Sequence, residues 1–128
     1  MIRLVYSLCF YLAQPLVWFR LLWRARRQPE YLQNLAERYG FYPARPAGPL
    51  LWLHVVSVGE TRAAEPLIKA LLAHYPEHGL LLTHMTPTGR AVGTEMIAKL
   101  GPRLHQAYLP YDLPDACARF LAHYRPEF

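Results

Sequence analysis

Cysteine is scarce in this chain, and the two it has, Cys9 and Cys117, stand alone. With no metal-ligand spacing and no pairing pattern, they support neither a zinc site nor a disulfide framework, and they suit a reducing compartment. Glycine is also sparse, seven residues in all, and none falls into a P-loop or a Gly-x-Gly-x-x-Gly pattern. No nucleophile triad appears. His74 and His78 have i, i+4 spacing, but Pro76 lies between them and should end the helix, so they do not read as a metal pair. Acidic residues are short in one place only: from Met1 to Arg45 seven arginines face Glu30 and Glu37, while the rest of the chain balances seven basic against seven acidic residues. The whole +5 excess therefore belongs to the first third. A basic balance invites nucleic acid, yet the aromatics beside these arginines sit in an apolar run and form no stacking platform, so nucleic acid is excluded as the expected partner.

What is present begins with that run. Of the twenty residues Leu4 to Trp23, only Ser7, Gln14, Pro15 and Arg20 are not apolar. As one helix they would reach about 30 Å, enough to cross a hydrocarbon core. No small-x-small cleavage site precedes the polar region, which argues against a signal peptide. A core helix would be less apolar around its circumference. Membrane association is expected, as a span or as a helix lying in one leaflet, where Pro15 can kink it and Arg20 can stay wet. Arg20, Arg24, Arg26 and Arg27 flank the run and face only Arg3 and the amino terminus on its other side. By the positive-inside rule they place the rest of the chain in the cytoplasm, and they can attract anionic lipid.

Residues 1–27 thus read as a hydrophobic anchor with a basic flank. Residues 28–48 read as a short helix, Gln28 to Gly40, capped by Gly40 and followed by the Pro-rich linker Phe41 to Pro49. Residues 49–128 alternate strand and helix. Six of the seven residues Leu50 to Val56 are apolar without alternation, as in a strand buried on both faces of a parallel sheet. Thr61 to His74 has helical spacing. Leu80 to His84 and Leu104 to Leu109 are the next strands, with helices Thr88 to Leu100 and Leu113 to Tyr124 after them. Three β-α units in succession argue for an α/β fold on a parallel sheet. Arg125 to Phe128 falls where a fourth strand should start, so the segment is expected to be the N-terminal piece of a longer protein.

Open α/β sheets bind ligands at the carboxyl ends of their strands. Ser57-Val-Gly-Glu60 occupies that place after the first strand. It is a capping box, with Ser57 on the N3 amide and Glu60 reaching back, and that role alone accounts for both residues. The chemical alternative is that Gly59 lets the backbone turn tightly under a ligand and Glu60 takes a proton from a substrate hydroxyl. Thr86-Pro-Thr88-Gly89 repeats the design after the second strand: Thr86 as N-cap, Pro87 in the first turn, Gly89 permitting close approach, and free amides able to receive an anion. Asp112 is a candidate cap for the last helix. His54, inside the first strand, reads as a hydrogen-bonded core histidine.

Together, Gln14-Pro15-Leu16, Glu37-Arg38-Tyr39-Gly40, His54-Val-Val-Ser-Val-Gly-Glu60-Thr61, Thr86-Pro-Thr-Gly89 and Tyr108-Leu-Pro-Tyr-Asp-Leu-Pro114 resemble, in matching order, the N-terminal part of the 3-deoxy-D-manno-octulosonic acid (Kdo) transferases. The resemblance implies the N-terminal Rossmann-like half of a GT-B glycosyltransferase at the cytoplasmic face of a Gram-negative inner membrane. It implies inverting transfer of Kdo from CMP-Kdo to a lipid A precursor, with Glu60 as catalytic base, while the reading of the two turns makes Ser57, Gly59, Thr86, Thr88 and Gly89 the expected substrate-binding residues. It requires no cofactor and no metal. The CMP site would belong to a second domain beyond Phe128, so the piece by itself is expected to be inactive. The rival reading is a non-catalytic membrane-bound module or the remnant of a split gene.

Overall fold

A computed structural model describes residues 1–128. Its centre is a three-stranded parallel sheet, β1 (Leu50–His54), β2 (Gly79–His84) and β3 (Leu104–Tyr108), in spatial order β1-β2-β3. Leu50 pairs with Gly79 and Leu80 with Leu104, so the strands run in step and their carboxyl ends share one rim. Helices α3 (Val58–His74), α4 (Pro87–Leu100) and α5 (Pro114–Tyr124) follow the strands. The expected α/β units are there, with boundaries moved by a few residues at most.

The helices divide between the two faces. Ile68 and Leu72 of α3 and Met96 of α4 pack on Leu51, Leu80, Leu82 and Leu104. Phe120 and Tyr124 of α5 pack on Leu50, Leu81 and Ala107 on the other side. The chain then returns to the outer edge of β1, where the Glu127 amide donates to Leu50 O (2.9 Å) and the Trp52 amide to Phe128 O (2.6 Å). Right-handed crossovers require this change of face when the direction of winding reverses. The order is that of a doubly wound sheet, with its switch point between β1 and the chain's last residues. The carboxyl end of β1 is where such a sheet leaves a crevice.

Two expectations about the first third are corrected. The single anchor helix is a pair, α1 (Ile2–Leu12) and α2 (Gln14–Ala25), bent by 41°. Pro15 supplies no amide to the turn before it, and the break falls just ahead of it. No single helix is long and apolar enough to cross a membrane, although the bent pair passes by length and composition. The helix expected from Gln28 to Gly40 is two short 3-10 helices, Pro29–Leu32 and Leu35–Tyr39. Asn34 between them takes a left-handed conformation, φ 56°, which an α-helix cannot contain. Gly40 does end this stretch at φ +88°, and a Cβ there would lie 2.7 Å from Ala116 O. Arg119 clamps the turn by donating to Tyr39 O at 2.6 and 3.0 Å.

Candidate functional site

The turn after β1 is the capping box read from the sequence. Ser57 is the N-cap of α3 and its Oγ accepts the Glu60 amide at 3.2 Å, while Glu60 Oε2 accepts the Val56 amide at 2.8 Å. Glu60 is exposed at the rim, and its other carboxylate oxygen takes no hydrogen bond from the protein. Thr61 behind it is fully buried and donates to Ser57 O at 2.7 Å, which holds the turn from below. The result is a solvent-facing carboxylate just beyond the carboxyl end of β1.

The turn after β2 stands beside it. Thr86 Oγ1 accepts the Gly89 amide at 3.1 Å and the Thr88 hydroxyl at 3.3 Å. Gly89 is buried, and a Cβ on it would lie 3.8 Å from Thr61 Oγ1 and 3.1 Å from Thr86 Oγ1. The two helix starts therefore touch through Thr61 and Gly89, and Ser57, Gly59, Glu60, Thr86, Thr88 and Gly89 occupy one stretch of rim. After β3 the expectation fails in one detail: α5 has Leu113 at its N-cap with no side-chain cap. Asp112 instead accepts a hydrogen bond from Tyr6 of α1 at 2.5 Å.

Other groups at this rim have no site role in the sequence reading, although Glu37 and Arg38 belong to a segment that carries the family resemblance. Glu37 and Arg38 are buried, at 4% and 7% exposure, under the carboxyl ends of β2 and β3. Arg90 grips both oxygens of Glu37 at 2.9 and 3.2 Å, while Arg38 lies 3.9 Å from the Tyr108 ring centre and donates to Met85 O at 2.5 Å. Burial raises the Glu37 pKa, and Arg90 opposes it. His84 is buried at the end of β2 with neither ring nitrogen hydrogen-bonded. Burial chiefly, then Arg90 and His54, push its pKa down to about 4 against an opposing pull from Gln106. It is a neutral ring, kept close to α4 because Gly93 has no side chain. His54 bonds Thr83 Oγ1 at 2.9 Å, as a core histidine should.

Helices α1 and α2 rest on this assembly. Tyr39 donates to Gln14 Oε1 at 2.7 Å and stacks on Trp18, and Tyr11 donates to Asp115. Arg20 and Arg24 face a cavity between α2 and the rim, and Arg26 lies over the Trp23 ring.

Comparison with known sequences gives this geometry its context. Residues 33–128 match the family model described as 3-deoxy-D-manno-octulosonic-acid transferase (kdotransferase). The chain belongs to the Kdo transferase family. Among curated family members, the 3-deoxy-D-manno-octulosonic acid transferase of Bordetella pertussis is 47% identical over 97% of this chain and 30% of its own length. That of Haemophilus influenzae is 36% identical over 98% of the chain and 29% of its own length. A probable mitochondrial Kdo transferase of Arabidopsis thaliana is 37% identical over 95% of the chain and 27% of its own length. The chain thus spans less than a third of the length of these relatives. No solved structure matches it.

Proposed function

We propose that this chain forms the acceptor side of a glycosyltransferase that moves Kdo from CMP-Kdo to a lipid A precursor (lipid IVA) at the cytoplasmic face of an inner membrane, with Glu60 as general base. The observation that carries the reading is the position of Glu60: exposed, with one carboxylate oxygen free of protein hydrogen bonds, in the first turn of α3 just beyond the carboxyl end of β1. Glu60 takes the proton of an acceptor hydroxyl as its oxygen forms a bond to the anomeric carbon of Kdo. The bond from that carbon to the CMP phosphate breaks, and CMP leaves on the opposite face with the bonding pair. Inversion follows from that in-line geometry. Ser57 and Gly59 hold the turn open, and the Thr86, Thr88 and Gly89 turn offers hydroxyls and amides to the acceptor's polar groups. The apolar outer surface of α1 and α2 holds this half at the bilayer, where the acceptor is already concentrated, and the positive-inside arginines orient it.

The capping box gives a second reading its own footing, because Ser57 takes the Glu60 amide and Glu60 takes the Val56 amide without any chemistry. Glu60→Gln in the complete protein separates the two. The amide still accepts from Val56, so a cap alone predicts retained transfer and a stability loss below about 1 kcal/mol. The base predicts a fall in transfer of roughly 10²- to 10⁴-fold at nearly unchanged stability. Near-normal turnover from CMP-Kdo to lipid IVA would end the base assignment.

A further inference from the structure

The cavity between α2 and the rim of the sheet is a solvent-open cleft of about 320 Å³. Arg20 and Arg24 reach it from successive turns of α2, Arg38 from the 3-10 helix below, and Tyr31 closes one side, its hydroxyl taking a hydrogen bond from Arg24 at 3.2 Å. None of these three arginines has a carboxylate partner; the six ion pairs of the molecule all lie elsewhere. The nearest acid to Arg38 in sequence, Glu37, is occupied by Arg90 through both oxygens. Arg38 is only 7% exposed, yet its guanidinium makes a single hydrogen bond, to Met85 O. Arg38 is desolvated and rests against the rings of Tyr108 and Tyr111 with one of its five donors used, and with exposed Arg20 and Arg24 beside it the cluster gains from an anion. Burial lowers the Arg38 pKa, and a bound anion would oppose that.

We propose that this cavity seats the phosphate monoester of an acylated ligand, gripped by Arg20, Arg24 and Arg38. The guanidinium fork matches phosphate oxygens in pairs, and a dianion answers a cluster of three cations better than a carboxylate does. The lipid part follows from the walls: Val17 and Leu21 line the cavity on the same helix. Leu16, Phe19, Leu22 and Trp23 continue an exposed apolar surface from it. The proposal rests on the acceptor reading and refines it, since it assigns the acceptor's phosphate to a seat between the membrane-facing helix and the rim that carries Glu60.

Calorimetric titration of the complete purified protein with dihexanoyl phosphatidic acid, below its micelle concentration, tests this without requiring transfer or a membrane. Binding is expected, with dihexanoyl phosphatidylcholine failing to bind and inorganic phosphate binding more weakly. Equal affinity for inorganic phosphate would overturn the lipid assignment. Replacing both Arg20 and Arg24 by Gln should weaken binding about tenfold or more, because two charge-assisted contacts are lost. Replacing Arg26 and Arg27 by Gln removes the same charge outside the cavity and should cost only about twofold through screened attraction. Equal losses in the two pairs would overturn the cavity as the site. Arg38→Lys keeps the charge but not the fork and should also weaken binding; should it fail to fold, the exposed pair still decides. Glu60→Gln should bind phosphatidic acid as the parent does, so failure of the base assignment leaves this result standing, and the reverse holds too.

Discussion

Helices α1 and α2 and the β-α-β layer are both rich in apolar side chains, and they dispose of them in opposite ways. In the layer, Phe120 is 2% exposed and Leu82 not at all. On α1 and α2, Leu16 is 72% and Phe19 67% exposed. The side of these helices turned to the protein holds Ser7, Phe10, Gln14, Val17, Leu21 and Ala25, at helical spacing, of which only Leu21 is fully buried. Two of those six are polar, and hydrogen bonds such as Gln14 to Tyr39 help fasten the pair. The layer hides apolar area in itself, whereas the helix pair is turned inside out. An exposed apolar surface on a helix pair marks an interaction face.

The comparison breaks if burial is not what separates two phenylalanines. Phe120→Ala should destabilise by about 3–5 kcal/mol, from lost transfer energy plus the cavity left between α5 and Leu50, Leu81 and Trp52. Phe19→Ala should change stability by less than about 0.5 kcal/mol in detergent. Urea or thermal unfolding of both variants checks this, and equal losses would mean that the outer face of α2 is packed in solution.

A second test sharpens the description of the layer. His84 is folded as a neutral ring with its pKa pushed down to about 4 from an ordinary 6.5. The unfolded chain takes up the proton first as pH falls, so the contribution is whole above 6.5, fades between 6.5 and 4, and is gone below. At most about 3 kcal/mol depends on it. His84→Thr should flatten the stability profile across that window, and an unchanged profile would assign the acid sensitivity to other groups. Beside it, a Cβ at Gly93 would run into Gln106 Oε1 and stand 2.6 Å from His84 Nε2. Gly93→Ala should therefore cost about 2 kcal/mol despite alanine's better helix propensity, because the buried ring cannot swing aside. A stabilised variant would show that α4 has room to shift.

The layer was legible because its signals are local. Leu50 to Val56 is apolar without alternation and becomes β1, although the ladder stops at His54 and Val56 turns outward. The caps at Ser57 and Thr86 follow from three-residue spacing and appear as written. What escaped the sequence depends on distant partners. Nothing local in the sequence buries Glu37 and Arg38; Arg90 and Tyr108, distant along the chain, close over them. His84 looks like any strand terminus until Gly93 brings α4 against it. The arginine cavity joins residues 20 and 24, one turn apart on α2, to residue 38, which no periodicity connects to them. The left-handed Asn34 gave no warning, since asparagine is only one of several residues that visit that conformation.

The smallest effect on stability bears most directly on the helix pair. Leu16→Gln together with Phe19→Gln leaves the inward stripe of α2 intact, so unfolding should move by about 0.5 kcal/mol or less. Membrane binding should respond quite differently. Each large side chain inserted into the interface contributes on the order of 1.5–3 kcal/mol when fully desolvated, and these two are more than half exposed in the protein. Flotation with vesicles of phosphatidylcholine and phosphatidylglycerol should show the double variant partitioning at least about tenfold less than the parent. If partitioning is unchanged while Arg20→Gln with Arg24→Gln abolishes it, charge alone holds the protein to lipid and the outward apolar face serves a protein partner. If both matter, the helix pair lies in the leaflet with its arginines at headgroup depth, and its bend at Ala13 lets it follow that surface while Tyr6 and Tyr11 keep it fastened to Asp112 and Asp115.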